Sequence, residues 1–173
     1  MAQDVQRHEV HAELERVRRT FADHVARMTP ADLSRASNGT RWTNQELLFH
    51  MLFGYLVVRR LLPMVKGFGR LPPRVSQPFA AVLDASTKPF DWINYAGSVA
   101  GGRALSPERM ARWLNSATAR IERDLDRQSA TSLRRGMHFP TRWDPYFKDF
   151  MTLADTYHYP TQHFDHHDRQ LSV

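Results

Sequence analysis

The chain carries nine histidines, and four of them, His158, His163, His166 and His167, fall between positions 158 and 167. Written on a helix, His163 and His167 are i and i+4, on one face, with Cβ atoms roughly 6 Å apart. Two imidazoles at that spacing can share a divalent cation, as on the zincin helix. Two ligands do not make a tight site, so a third must come from another element. His50 is the best candidate: it sits in Leu47-Leu48-Phe49-His50-Met51-Leu52, and a histidine among apolar residues needs partners for its ring nitrogens. Spacing alone leaves His166, at i+3 from His163, as an alternative to His167. His8 and His11 form a further i,i+3 pair, but His8-Glu9-Val10-His11 brings the second histidine one residue too early for the zincin geometry and reads as a solvated helix face. His24 and His138 have no partner in sequence and read as structural.

The elements that must position these residues are helices. The first is expected from about Asp4 to Met28, where Val10, Leu14, Val17, Phe21, Val25 and Met28 repeat at spacings of three and four. The second starts at Thr43-Asn44-Gln45-Glu46, a capping box, and continues through Leu47, Met51, Gly54, Val58 and Leu61 towards Pro63. Gly67, Gly69, Pro72 and Pro73 then break the chain. Residues 67–105 form a long connection with short helices after Ser76 and around Phe90 to Ala100, the second ended by Gly101-Gly102. The third long helix opens with the cap Ser106-Pro107-Glu108 and buries Met110, Leu114, Ala117, Ile121 and Leu125. The fourth opens with Thr152-Leu153-Ala154-Asp155 and runs to about Leu171, with Pro160 inside it as a local conflict expected to kink it or remove a backbone bond. Two helical pairs separated by a long connection predict an all-α four-helix bundle with one long crossover between helices 2 and 3.

The length of 173 residues suits a single domain spanning 1–173, and 42% apolar residues make it globular. With no cysteine, there is no disulfide, thiolate ligand or Cys nucleophile, and any metal is held by nitrogen or oxygen. The polar start Met1-Ala2-Gln3-Asp4 is no signal peptide. The most apolar stretch, Leu47 to Val65, contains His50, Arg59, Arg60 and Pro63 and reads as a buried helix rather than a membrane span, so the expected location is the cytoplasm, with no membrane partner. The net charge of +6 rests almost wholly on arginine, since only Lys66, Lys88 and Lys148 are lysines among 24 basic residues. The arginines are dispersed beside acidic residues, and no nucleic-acid-binding motif accompanies them, so nucleic acid is not an expected partner.

Trp42-Thr43-Asn44-Gln45-Glu46 leading to His50, together with His163-x-x-x-His167-x-x-Gln170 on the last helix, resembles the DinB-like (damage-inducible, YfiT-type) superfamily. The resemblance covers essentially the whole chain, and Gln170 fixes the register on His167 rather than His166. It implies a bundle in up-down-down-up order with one divalent metal ion, zinc or nickel, held by His50, His163 and His167 at one end. In some relatives such a centre activates a low-molecular-weight thiol (mycothiol, bacillithiol or glutathione) for S-transfer or isomerisation.

Three protein ligands leave a position open, the pattern of a catalytic rather than a structural site. The expected function is therefore activation of such a thiol, or of water, for S-transfer or hydrolysis of a small-molecule substrate. The alternative is a non-enzymatic stress-response protein binding a metal or small ligand on the same bundle. Asp155, Asp165 and Asp168 are candidates to orient an imidazole N–H, Tyr159 and His166 to line the pocket with Trp143 and Tyr146, and Arg142 and Arg169 to hold a carboxylate. Apolar helix faces with short loops also admit a homodimer.

Overall fold

The computed structural model describes residues 2–172. Its helices begin where short polar side chains can take up the unpaired N–H groups of a first turn. Thr43 accepts from Glu46 N–H while the Glu46 carboxylate accepts from Thr43 N–H, opening α3 (Asn44–Phe68). The same reciprocal cap joins Thr152 and Asp155 at the start of α8 (Leu153–Asp168). Ser106 caps α6 (Pro107–Asp126), and α1 spans Ala2–Arg27. These are the four long helices read from the sequence. Their apolar stripes form one core: Val10, Leu14, Val17 and Phe21 of α1, Leu47, Met51 and Val58 of α3, and Met110, Leu114, Ala117, Ile121 and Leu125 of α6 are all buried together. Residues on both sides of Pro63 and of Pro160 stay helical.

Side-chain pairs fix the directions. His11 meets Asp126 and Arg18 meets Glu122, so α1 and α6 are antiparallel. Glu13 meets His158, Arg16 meets Asp165 and His24 meets Asp168, so α1 and α8 run parallel. On α3, His50 lies against His167 and Tyr55 against Thr161, an antiparallel pair. Gln45, near the start of α3, donates to the Gly102 carbonyl just before α6, and Lys66 at its far end pairs with Asp124, so α3 and α6 are parallel. The order is up-down-down-up, and parallel neighbours α3 and α6 require the long crossover. Among the described residues α3 is the one helix long and apolar enough to cross a membrane; here it is the central helix, packed against α5, α6 and α8.

The crossover departs from the sequence expectation. After a 3-10 turn at Pro73–Val75 come α4 (Gln77–Ala85) and α5 (Thr87–Ala104), and α5 runs straight through Gly101-Gly102. The glycines permit close helix contact instead of stopping the helix. A Cβ on Gly102 would stand 2.7 Å from Glu46 Cα, and one on Gly101 would strike the Phe49 ring. Short helices α2 (Pro30–Ser34) and α7 (Ala130–Arg134) add to the connections. Between α7 and α8, β1 (Gly136–His138) pairs antiparallel with β2 (Phe150–Thr152), Gly136 opposite Thr152. Gly136 is required there, because a Cβ would run into the Met151 carbonyl. This ribbon closes the loop 139–149, which docks on the crossover: Trp143 Nε1–H donates to Leu83 O (2.7 Å), and its indole stacks on Phe90 at 3.9 Å between ring centres.

Candidate metal centre

The three histidines named from the sequence come together at one end of the α3–α8 pair. Their ligating nitrogens all lie within 4.8 Å of one another, and the Nε2 atoms of His50 and His167 are 3.1 Å apart. A tetrahedral site with metal–nitrogen bonds of 2.0–2.1 Å has ligand atoms about 3.3 Å apart, so this spacing suits a first-row divalent ion. His50 is 3% exposed and His163 8%. His50 stacks on Trp42, with ring centres 4.4 Å apart.

Each imidazole is turned by a hydrogen bond on its far side. His50 Nδ1 is 3.1 Å from Ser98 Oγ, and the Ser98 hydroxyl already donates to Asn94 O, so the imidazole must be the donor. His163 Nδ1–H donates to Asp144 Oδ2 at 2.9 Å, and His167 Nδ1–H to Gln170 Oε1 at 2.6 Å. With all three protons on Nδ1, all three Nε2 atoms present lone pairs to the same point. Two such lone pairs at 3.1 Å repel unless a cation lies between them. His163 Nε2 is buried with no hydrogen-bond partner among the described residues, and an unpaired buried acceptor costs about 1–3 kcal/mol. These residues fit a divalent metal: neutral imidazoles, set tautomers and outer partners are what such ions are held by.

Charge agrees with geometry. Burial, then the neighbouring His163 and His167, holds His50 well below the usual histidine range. Burial and His163 likewise push His167 down to about 4, against the hydrogen bond with Gln170. Both are therefore neutral at physiological pH. Burial would raise Asp144, but the hydrogen bond from His163, with help from Tyr146 N–H and the Tyr159 hydroxyl, holds it below the ordinary carboxylate value. It stays ionised beneath His163.

The other sequence candidates are placed as follows. Asp155 is occupied by the α8 cap and by Lys148, Asp165 by Arg16, and Asp168 by His24. None of the three reaches a triad imidazole, because on α8 they face the cap or α1. His166 is not among the clustered histidines; its Nδ1 meets the Tyr146 hydroxyl at 3.3 Å. Tyr159 acts one step further out, its hydroxyl donating to Asp144 Oδ2 at 2.9 Å. Two orienting residues were not read from the sequence. Asp144 lies in an aperiodic loop, flagged only by neighbouring aromatics and Pro145. Ser98 lies in the helix expected around Phe90 to Ala100, and nothing in its spacing ties it to His50. Gln170 was visible, and its place is fixed by the Asn38 N–H donating to Gln170 O (2.7 Å) and by Ser172 N–H donating to the Asn44 side chain at the start of α3.

Two spaces meet at the triad. On one side an open basin of about 430 Å³ touches His167, Gln170, Trp42, Asn94 and Arg41, the last lying over the Tyr95 ring. On the other, a cavity of about 80 Å³ touches His50, His163, Asp144 and Asn94 and is otherwise walled by apolar and aromatic side chains.

The sequence profile of the DinB superfamily matches residues 13–171, and the chain belongs to that superfamily. Comparison with curated proteins and with solved structures gives no significant match.

Proposed function

We propose that this protein is a metal-dependent enzyme in which His50, His163 and His167 hold one divalent ion, zinc or nickel, to activate a low-molecular-weight thiol or water toward a small-molecule substrate. The observation that carries this reading is the set of three inward Nε2 atoms, one of them buried and unpartnered, each held by an outward Nδ1–H bond. When bound with an open position, such an ion lowers the pKa of a thiol or water enough to present its anion near neutral pH.

The chain's own residues do the rest. Asp144, with Tyr159 behind it, keeps the His163 proton on Nδ1 and supports ligand basicity. Ser98 and Gln170 do the same for His50 and His167. Trp42 covers the His50 face and limits water access from that side.

Metal analysis of untagged wild type and of His50→Ala, His163→Ala, His167→Ala and His166→Ala tests the reading. About one metal per chain is expected in the wild type and in His166→Ala, with loss in the other three. A wild type without stoichiometric metal, or loss that follows His166, would overturn it. Turnover of electrophiles with a panel of thiols then separates an enzyme from a protein that only binds.

A further inference from the structure

The smaller cavity has a chemical polarity of its own. Its polar lining residues His50, His163, Asp144 and Tyr159 sit together: the His50 and His163 rings are 4.9 Å apart between centres, and Asp144 Oδ2 meets both His163 Nδ1 and the Tyr159 hydroxyl. Away from them the walls come from three separate parts of the chain: Phe53, Val57 and Leu61 of α3, Leu83 and Phe90 of the crossover, and Trp143 of the docked loop. Trp143 cannot swing to fill the space, because its indole is stacked on Phe90 and its N–H is held by Leu83 O. A space left open by side chains that are themselves fixed, and joined to reactive groups at one end, is suited to a molecule with a polar head and an apolar tail.

We propose that this chamber binds the apolar tail of the substrate, a short aliphatic segment whose polar reacting group lies at the His50–His163 end. The proposal rests on the metal-dependent reading above and adds the substrate class. The volume sets the length. At about 80 Å³ the chamber is roughly half the ~150 Å³ cavity that accepts benzene. A short aliphatic segment fits, and a phenyl ring does not. The open basin beyond His167, with Arg41 and Gln170, is left for the more polar cosubstrate.

Two measurements on the full chain test this without relying on turnover. The first is xenon binding followed by NMR on metal-free and zinc-loaded protein, with Val57→Phe and, independently, Leu83→Phe. One xenon is expected in the wild type, with its signal perturbed by Trp143, and none in either variant, while zinc content is unchanged. The second is binding of straight-chain alkanethiols to the zinc-loaded protein. Affinity is expected to rise about fourfold per methylene for the first few carbons and then level off once the chamber is full, and Val57→Phe should flatten the rise. Failure to bind zinc would sink the metal reading while leaving xenon in the metal-free chamber as an independent result. Zinc bound normally, with no xenon site and an alkyl series indifferent to Val57→Phe, would overturn the chamber proposal alone.

Discussion

The two halves of α8 treat buried polar groups in opposite ways. In the first half every such group is answered from within the protein. The fully buried Tyr157 donates its hydroxyl to Asp124, which also takes the Lys66 ammonium, and His158 meets Glu13 of α1 at 2.9 Å. In the second half His163 and His167 point their Nε2 atoms at a third imidazole that offers no proton, and one is left without a partner. The first half is a closed network that ties α8 to α1 and α6. The second is complete only with something added. A buried polar group that the fold declines to satisfy, next to others that it satisfies carefully, marks where the ligand goes.

That contrast can be broken at several points. The largest expected effect is at Asp144. Asp144→Asn keeps a hydrogen-bond acceptor for His163 but removes the charge, and zinc affinity should fall about 10–100-fold with unchanged helicity by circular dichroism. Gly54→Ala attacks the same ring from α3. A Cβ there would stand 2.9 Å from His163 Cδ2, so metal affinity should fall about tenfold by competition titration, although alanine is the better helix former by about 1 kcal/mol. If Gly54→Ala only stabilised the protein, His163 would not be held where the site needs it.

In the closed half, Tyr157→Phe should cost about 1.5–3 kcal/mol in denaturant unfolding, the range for a hydrogen bond to a charged group, and leave metal content alone. The smallest effect is in pH, and it has two signs. His158 is raised above 6.5, chiefly by its hydrogen bond with Glu13. Its contribution is therefore complete below pH 6.5 and lost as pH climbs through the raised value. His167 is lowered to about 4, so in metal-free protein its contribution is complete above 6.5 and lost as pH falls towards 4. Unfolding free energy of the metal-free protein should peak near pH 6.5. Glu13→Gln should flatten only the alkaline side, by a few tenths of a kcal/mol.

Much of this arrangement was legible in the sequence, for identifiable reasons. Met110, Leu114, Ala117, Ile121 and Leu125 repeat at helical spacing and all are buried. Thr43, Ser106 and Thr152 announce helix starts, and each caps one. His163 and His167 share a face because one helix carries both. Spacing cannot say that His50 meets them, since their positions are linked only through tertiary packing; there the family resemblance supplied what periodicity could not. Asp144 was illegible because a loop residue's neighbours depend on where the loop docks, and its docking depends on Trp143, Leu83 and Gly136. Gly101-Gly102 misled because glycine serves both as a helix stop and as the residue that lets two helix backbones touch. Only the nearness of Glu46 and Phe49 tells which.

The crossover that the parallel pair α3 and α6 makes unavoidable has a consequence for how such a protein can change over generations. Of the three histidines, one stands on α3 and two on α8, while Leu83, Phe90 and Asn94 of the crossover and Trp143 of the loop resting on it line the cavity beside them. Ser98 steadies His50, and Leu83 and Phe90 seat the loop that carries Asp144; crossover positions that touch neither can be rewritten without disturbing the three histidines or their support. Descendants of one bundle can thus vary the wall of this cavity while inheriting the same histidine cluster, with selection acting on a wall that folding had to build in any case.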